Sequence, residues 1–215
     1  MNEQEVITMP RIGDQAPDFK AMTTTGPMQF SEYIKDSWTI LFSHPADFTP
    51  VCTTEMSGFA LEQKFFDEHD AKLIGLSIDS IHSHISWVNN VKKNTGVLFE
   101  FPIIADIDMK VSKLYGMLQP GESETAAVRA VFFIDPTGKI RLIMYYPLNV
   151  GRNMDEIKRV LIALQTADKF KVSMPLVWRH GQKVIVPPPK TVAEMIEREA
   201  SDYEMIDFYL AKKDI

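Results

Sequence analysis

The sequence contains one cysteine, Cys52, among its 215 residues. An internal disulfide is therefore excluded, and nothing in the composition calls for an oxidising compartment. No stretch approaches the roughly 20 uninterrupted apolar residues of a membrane span, so no membrane partner is expected. The opening residues, MNEQEVITMPRIGD, lack a basic segment followed by an apolar run, which is the pattern of a secretory leader. The expected location is the cytoplasm. Positive charge is also scarce: 23 Lys and Arg stand against 29 Asp and Glu, for a net charge of −6 and a pI near 5.4. That balance argues against nucleic acid, whose partners carry a basic patch. Internal repeats and low-complexity tracts are missing too. What is present is apolar material, 45% of the residues, enough for a core.

Its arrangement suggests an α/β domain. "SWTILFSH" (Ser37–His44) is almost continuously apolar, as in a central strand covered on both faces. A helical stretch follows from about Pro50 to His69, with Met56, Phe59, Ala60 and Phe66 at roughly helical spacing. "AKLIGLSID" (Ala71–Asp79) reads as a second buried strand, then come a helix over Ser80–Lys93, the short strand "FPIIAD" and a helix near Met109–Tyr115. This β-α-β-α order implies parallel strands. "VRAVFFIDPTGKIRLIMYY" (Val128–Tyr146) then folds back on itself at Asp135-Pro136-Thr137-Gly138 as a hairpin. A last helix opens at Asn153, with Glu156 three residues on.

A central mixed sheet flanked by helices, ending in a hairpin and a helix, fits the thioredoxin-like fold over residues 1–170. Residues 171–215 differ: short extended pieces, a triple proline that cannot be helical, and a helix opened by the Thr191-x-x-Glu194 capping box. Too small for a strong core of its own, this segment reads as an arm packed on the main domain or, as a C-terminal dimerisation extension, on a second copy of the chain.

Thr49 and Pro50 suit the N-cap and first residue of the helix after the first long strand: threonine accepts an orphan amide, and proline gives up no hydrogen bond there. Cys52 then lies in the first turn, where free N–H groups and the helix dipole favour negative charge. The carboxyl ends of strands are also where open α/β sheets bind ligands. An inert buried cysteine is the commoner fate of a lone thiol, and position alone leaves both readings open.

The residues around it decide. "PADFTPVC" has Pro45, Thr49 and Cys52 in a P-x-x-x-T-x-x-C spacing that resembles the peroxiredoxin active site, and "HPADFTPVCTTE" resembles its one-Cys, peroxiredoxin-six-like branch. "GDQAPDF", "LIGLSIDS", "FPIIAD", "YGM", "VRAVFFIDPTGKIR" and "GRNMDEI" match family blocks across almost the whole chain.

The resemblance implies a thiol-dependent peroxidase whose Cys52 thiolate attacks hydrogen peroxide or an organic hydroperoxide and becomes a sulfenic acid. It implies that Thr49 orients peroxide and thiolate, that Arg129 is the active-site arginine and that Pro45 shields the sulfur. His44 and Arg152 line the pocket, and Glu55 holds an arginine in place. No cofactor and no metal are called for. The C-terminal "SDYEMIDFYLAKKDI" holds no cysteine, so an external thiol reductant must resolve Cys52. The family forms homodimers and, in many members, ring-shaped decamers built as pentamers of dimers.

Other readings are weaker. A disulfide oxidoreductase needs Cys-x-x-Cys, and Glu55 stands at the second position. A cysteine hydrolase using Cys52 with His44 and a non-catalytic holdase or scaffold remain as alternatives. His82 and His84 are two apart on a helix and do not share a face, which argues against a metal there. "KDSW" (Lys35–Trp38) is similar to the G-D-S-W stretch of relatives with lipase activity, but Lys35 replaces the glycine and the G-x-S-x-G elbow is absent.

Overall fold

The computed structural model describes residues 9–215, and most of the opening stretch read above lies outside them. The chain divides into two compact units, Met1–Arg152 and Asn153–Ile215.

In the first unit, the apolar run becomes β3 (Trp38–Ser43), buried at every position. Parallel to it lies β4 (Ala71–Ser77), and parallel to that β5 (Ile103–Ala105). β6 (Arg129–Ile134) and β7 (Ile140–Tyr146) add the foreseen hairpin antiparallel to β3. Its turn needs Gly138, whose φ of +80° a residue with a Cβ reaches only under strain.

A second hairpin, β1 (Lys20–Thr23) and β2 (Gly26–Gln29), pairs through β1 with β5 at the other edge. Sequence reasoning missed it, because four-residue strands are too short to show an alternating pattern. The mixed sheet runs β2-β1-β5-β4-β3-β6-β7.

The helices are α1 (Phe30–Tyr33), α2 (Pro50–Leu61), α3 (Gln63–Glu68), α4 (Ile81–Thr95) and α5 (Lys110–Leu114). The single helix expected over 50–69 is broken at Glu62, which leaves helical geometry (ψ 6°) just after a turn weakened by Gly58. Strand alternation sorts the core into two faces. Leu41, Ile74, Leu76 and Phe132 meet Phe30, Val111 and Tyr115 on one side. On the other, Phe42 stacks on Phe59 of α2 with ring centroids 3.9 Å apart.

The second unit holds α6 (Met154–Phe170), whose Asn153 cap accepts from the Glu156 amide as expected, while the Glu156 carboxylate engages Arg159. β8 (Val184–Val186), α7 (Val192–Glu199), β9 (Glu204–Asp207) and β10 (Leu210–Lys213) follow, with the strands in the antiparallel order β8-β10-β9. Thr191 caps α7. Trp178, fully buried, packs with Ala163 of α6, Val172 and Val184. That cluster explains why α6 groups with this unit, where the sequence reading joins it to the first.

Gly75 sets how closely α2 approaches the sheet: a Cβ there would sit 3.1 Å from Met56 Cε and 3.6 Å from Ile103 Cγ1. Gly75→Val is therefore expected to cost about 1–3 kcal/mol by overpacking and to push α2 outward. Urea titration reads the cost, and faster alkylation of the buried Cys52 reads the displacement. An unchanged alkylation rate would mean that the helix is held by something else.

Candidate active site

β3 delivers the chain to the site. The hydroxyl of Ser43, its last residue, donates to the Val128 carbonyl at 2.6 Å and accepts from the Ala130 amide at 3.1 Å. β3 is thereby stitched to the start of β6, which carries Arg129. His44 comes next, fully buried, its amide donating to the Leu76 carbonyl. Pro45 is half-buried in the loop that follows. Phe48 has φ +55° and is about half exposed (54%), a local backbone strain of the kind found at ligand sites.

Thr49 is the N-cap and Pro50 the first residue of α2, as read from sequence, but Thr49 does not cap an amide. Its hydroxyl donates to the Ala46 carbonyl, 2.9 Å away, because the loop turns that oxygen back towards it. The hydroxyl's lone pairs are thereby left for another donor. Cys52 is in the first turn with 0% exposure.

Three charged side chains surround the sulfur's surroundings on one side. Arg129 Nη1 donates to Cys52 Sγ at 3.4 Å and to Glu55 Oε2 at 2.7 Å, while its Nε and Nη2 are held by the Leu148 carbonyl at 3.0 and 2.6 Å. Arg152 grips the same carboxylate through Nε and its backbone amide to Oε1 and through Nη2 to Oε2, all within 2.9 Å. Its Nη1 reaches the carbonyls of Ser43 and Ala130. The guanidinium lies over the rings of Phe42 and Phe59, at 5.3 and 5.5 Å. Burial raises the Glu55 pKa, but Arg152 and Arg129 outweigh it and hold the carboxyl below its ordinary range. One anion between two cations leaves a net charge of +1 beside the sulfur.

A second buried network lies behind His44. Its Nε2 is 3.0 Å from Asp47 Oδ1, and Asp47 Oδ2 is 2.8 Å from His84 Nδ1. His84 Nε2 faces the Ile104 carbonyl at 3.1 Å. Asp79 Oδ2 accepts from the Asp47 amide and from the Ser77 hydroxyl. Burial raises the Asp47 pKa, and hydrogen bonds from both imidazoles more than offset this, bringing it to about 2. Burial pushes His44 down, against the opposing pull of Asp47. Donor atoms of His44, Asp47 and Asp79 lie within 4.8 Å of one another; Asp47 Oδ1 is engaged with the His44 imidazole, and Asp79 Oδ2 accepts from the Asp47 amide and the Ser77 hydroxyl.

Every sequence-proposed residue from His44 to Glu55, together with Arg129 and Arg152, thus lies at this end of β3 and β6 or in the loop between β3 and α2. Asp47, His84 and the Leu148 carbonyl were not foreseen. His84 was legible in part, since it shares the buried stripe of α4 with Trp87 and Val91 at helical spacing. Ser37 sits in the turn before β3, its hydroxyl directed back at the Ile34 and Lys35 carbonyls. His82 is exposed, apart from His84.

Asp47 and Glu55 are both depressed, so the stability they contribute is complete above the ordinary carboxylate pKa of about 4 and is lost as pH falls through their folded values. The urea midpoint is expected to fall between about pH 4 and pH 2, and to fall less steeply in Asp47→Asn. Equal slopes would show that Asp47 is not held as an ion.

The description "AhpC/TSA family" matches residues 12–143, and "C-terminal domain of 1-Cys peroxiredoxin" matches residues 163–201. The chain is 52% identical over 211 residues to Peroxiredoxin 2 of Caldanaerobacter subterraneus subsp. tengcongensis, covering 97% of this chain and 95% of that one. It is 48% identical to a peroxiredoxin of Aquifex aeolicus, covering 98% and 100%. A solved yeast mitochondrial 1-Cys peroxiredoxin, described for thiol resolution through glutathione/thioredoxin systems, superposes with a TM-score of 0.86 at 42% identity, covering 96% and 100%. A cysteine-to-serine mutant of the Peroxiredoxin 6 of Arenicola marina gives 0.85 at 34%, covering 95% and 97%. With both family descriptions matched in order along one thioredoxin-like chain, and with a single cysteine to work with, this protein belongs to the 1-Cys peroxiredoxins and is a thiol-dependent peroxidase.

Proposed function

We propose that Cys52 is the atom on which the peroxidase reaction takes place. Its sulfur attacks the terminal oxygen of hydrogen peroxide or an organic hydroperoxide; an S–O bond forms and the O–O bond breaks. The sulfur is oxidised by two electrons to the sulfenic acid, and the departing oxygen takes up a proton and leaves as water or alcohol. The observation carrying this reading is the Arg129 Nη1–Cys52 Sγ contact, 3.4 Å, inside a cluster of net charge +1.

Ionising the thiol is a minor part of the acceleration. A free thiol of pKa about 8.5 is a few per cent ionised at pH 7, so full ionisation gains roughly 30-fold. Lower basicity costs nucleophilicity at a slope of about 0.4–0.5, which returns roughly 10-fold of that gain. The larger share falls to aligning the O–O bond and catching the oxygen that leaves. Arg129 supplies the positive donor, Thr49 a hydroxyl with open lone pairs, and Pro45 and His44 the wall. Glu55 and Arg152 hold Arg129.

An external thiol then reduces Cys52. We further place the protein in the cytoplasm as a homodimer, with the decamer as a larger form. Support for assembly comes from Leu176 and Val177 in the second unit, 91% and 75% exposed. No helix among the described residues is long and apolar enough to cross a membrane.

One equivalent of hydrogen peroxide added to reduced protein is expected to give a sulfenic acid trappable at Cys52 by mass spectrometry, and Cys52→Ser to give none. Arg129→Ala is expected to lower the rate per thiolate by roughly 10-fold or more; a change confined to the thiolate fraction would refute the charge-catching role. Sedimentation velocity at micromolar protein should give a dimer or larger, and a monomer would remove the assembly proposal.

A further inference from the structure

The buried polar atoms of the site are accounted for except one: His44 Nδ1 has no hydrogen-bond partner among the described residues. A buried nitrogen in that condition is unfavourable, and use by a ligand or a reaction is one reason a native protein keeps such a group. Its protonation follows from the chain of contacts behind it. The Ile104 carbonyl can only accept, so His84 Nε2 carries a proton. A proton must also lie between His84 Nδ1 and Asp47 Oδ2, 2.8 Å apart, on one atom or the other. In both cases Asp47 Oδ1 is left as a bare acceptor. It can be satisfied at 3.0 Å only if His44 Nε2 is the donor. Burial disfavours a second proton on His44, which would also be a donor with nothing to receive it. Trp87, one turn beyond His84, lies against the His44 ring with centroids 5.1 Å apart, and a ring flip would set carbon against Asp47 Oδ1.

We infer that His84 and Asp47 are positioning residues: they fix His44 in the tautomer with Nε2 protonated, so that Nδ1 is a buried, unprotonated hydrogen-bond acceptor for the hydroperoxide's O–H. This role rests on Cys52 being the atom that peroxide attacks. The acceptor on His44 and the donor on Arg129 then differ in sign and match the one donor hydrogen and the acceptor oxygens of a hydroperoxide.

The test begins with the resting enzyme. Long-range proton–nitrogen correlation spectra of reduced protein labelled with 15N-histidine are expected to show His44 Nε2 protonated and Nδ1 bare, and a protonated Nδ1 overturns the inference. His84→Leu removes the donor to Asp47. It is expected to give a second His44 tautomer and to slow sulfenic acid formation by roughly 10-fold or more at matched thiolate fraction. His84→Gln, whose amide can still donate to Asp47, is expected to restore most of the rate and the single tautomer. An unaltered tautomer and rate in His84→Leu overturn the role of His84. If the leucine variant does not fold, the wild-type spectrum and the glutamine variant decide. The two layers separate: a wild type whose Cys52 ignores peroxide sinks the Cys52 reading and this role with it, whereas a reactive wild type with a protonated Nδ1 sinks the relay alone.

Discussion

Glu55 is shared by two guanidiniums that have almost no contact with water, and the rest of the site is arranged around that sharing. Side chains of Arg129, Arg152 and Glu55 are 4%, 1% and 4% exposed. Ions so buried lose their hydration, and Coulomb attraction repays the loss only when the remaining donors and acceptors are satisfied. Here they are. Arg152 spends its donors on Glu55 and on the carbonyls of Ser43 and Ala130, while Arg129 divides its own among Glu55, Leu148 and the sulfur. The arrangement adds little to stability that an apolar cluster of equal volume could not supply. What it adds is a fixed positive donor against Cys52.

The scaffold explains why that donor stays in place. β3 and β6 are neighbours in the sheet, and the Ser43 hydroxyl ties their ends together, so Arg129 and the loop leading to Cys52 cannot drift apart independently. Below them Phe42 and Phe59 stack, and Arg152 covers both rings. Apolar packing and ion pairing thus meet on one pair of aromatic residues. Because interiors are close-packed, a change at Gly75 under Met56 is transmitted to the helix that carries the thiol.

Much of this was legible in the sequence, and what was not has physical reasons. β3, β4 and the β6–β7 hairpin carry long apolar runs or a glycine turn, signals that survive without tertiary context. The β1–β2 hairpin is held by its pairing with β5, which four residues cannot announce. The family blocks around Cys52, Arg129 and Arg152 named the guanidinium that touches the sulfur and the two side chains linked to it, Glu55 and Arg152. They could not show that Thr49 would give its proton to Ala46, since that depends on where one carbonyl points. Nor could they show that His84, distant in the chain, would meet Asp47: spacing on α4 reveals that His84 faces inward, and only the fold reveals what it meets there.

A sealed sulfur and an outside reductant constrain each other. Cys52 has no exposed surface, so the reduced enzyme admits only a reactant whose attacking end is narrow, and the O–O group of a hydroperoxide is two atoms wide. Resolution is harder to accommodate. A thiolate must approach the oxidised sulfur in line with the S–O bond, bringing with it the carbon chain that bears it. The Arg129 side is taken up by a guanidinium anchored to Glu55 and the Leu148 carbonyl. What remains is the first turn of α2 and the loop before it, the one stretch that combines a strained backbone at Phe48, an exposed aromatic side chain and a cap without its usual side-chain bond. A thiol reaching Cys52 from this side would have to displace the Phe48–Thr49 turn, which is strained and lacks a capping bond.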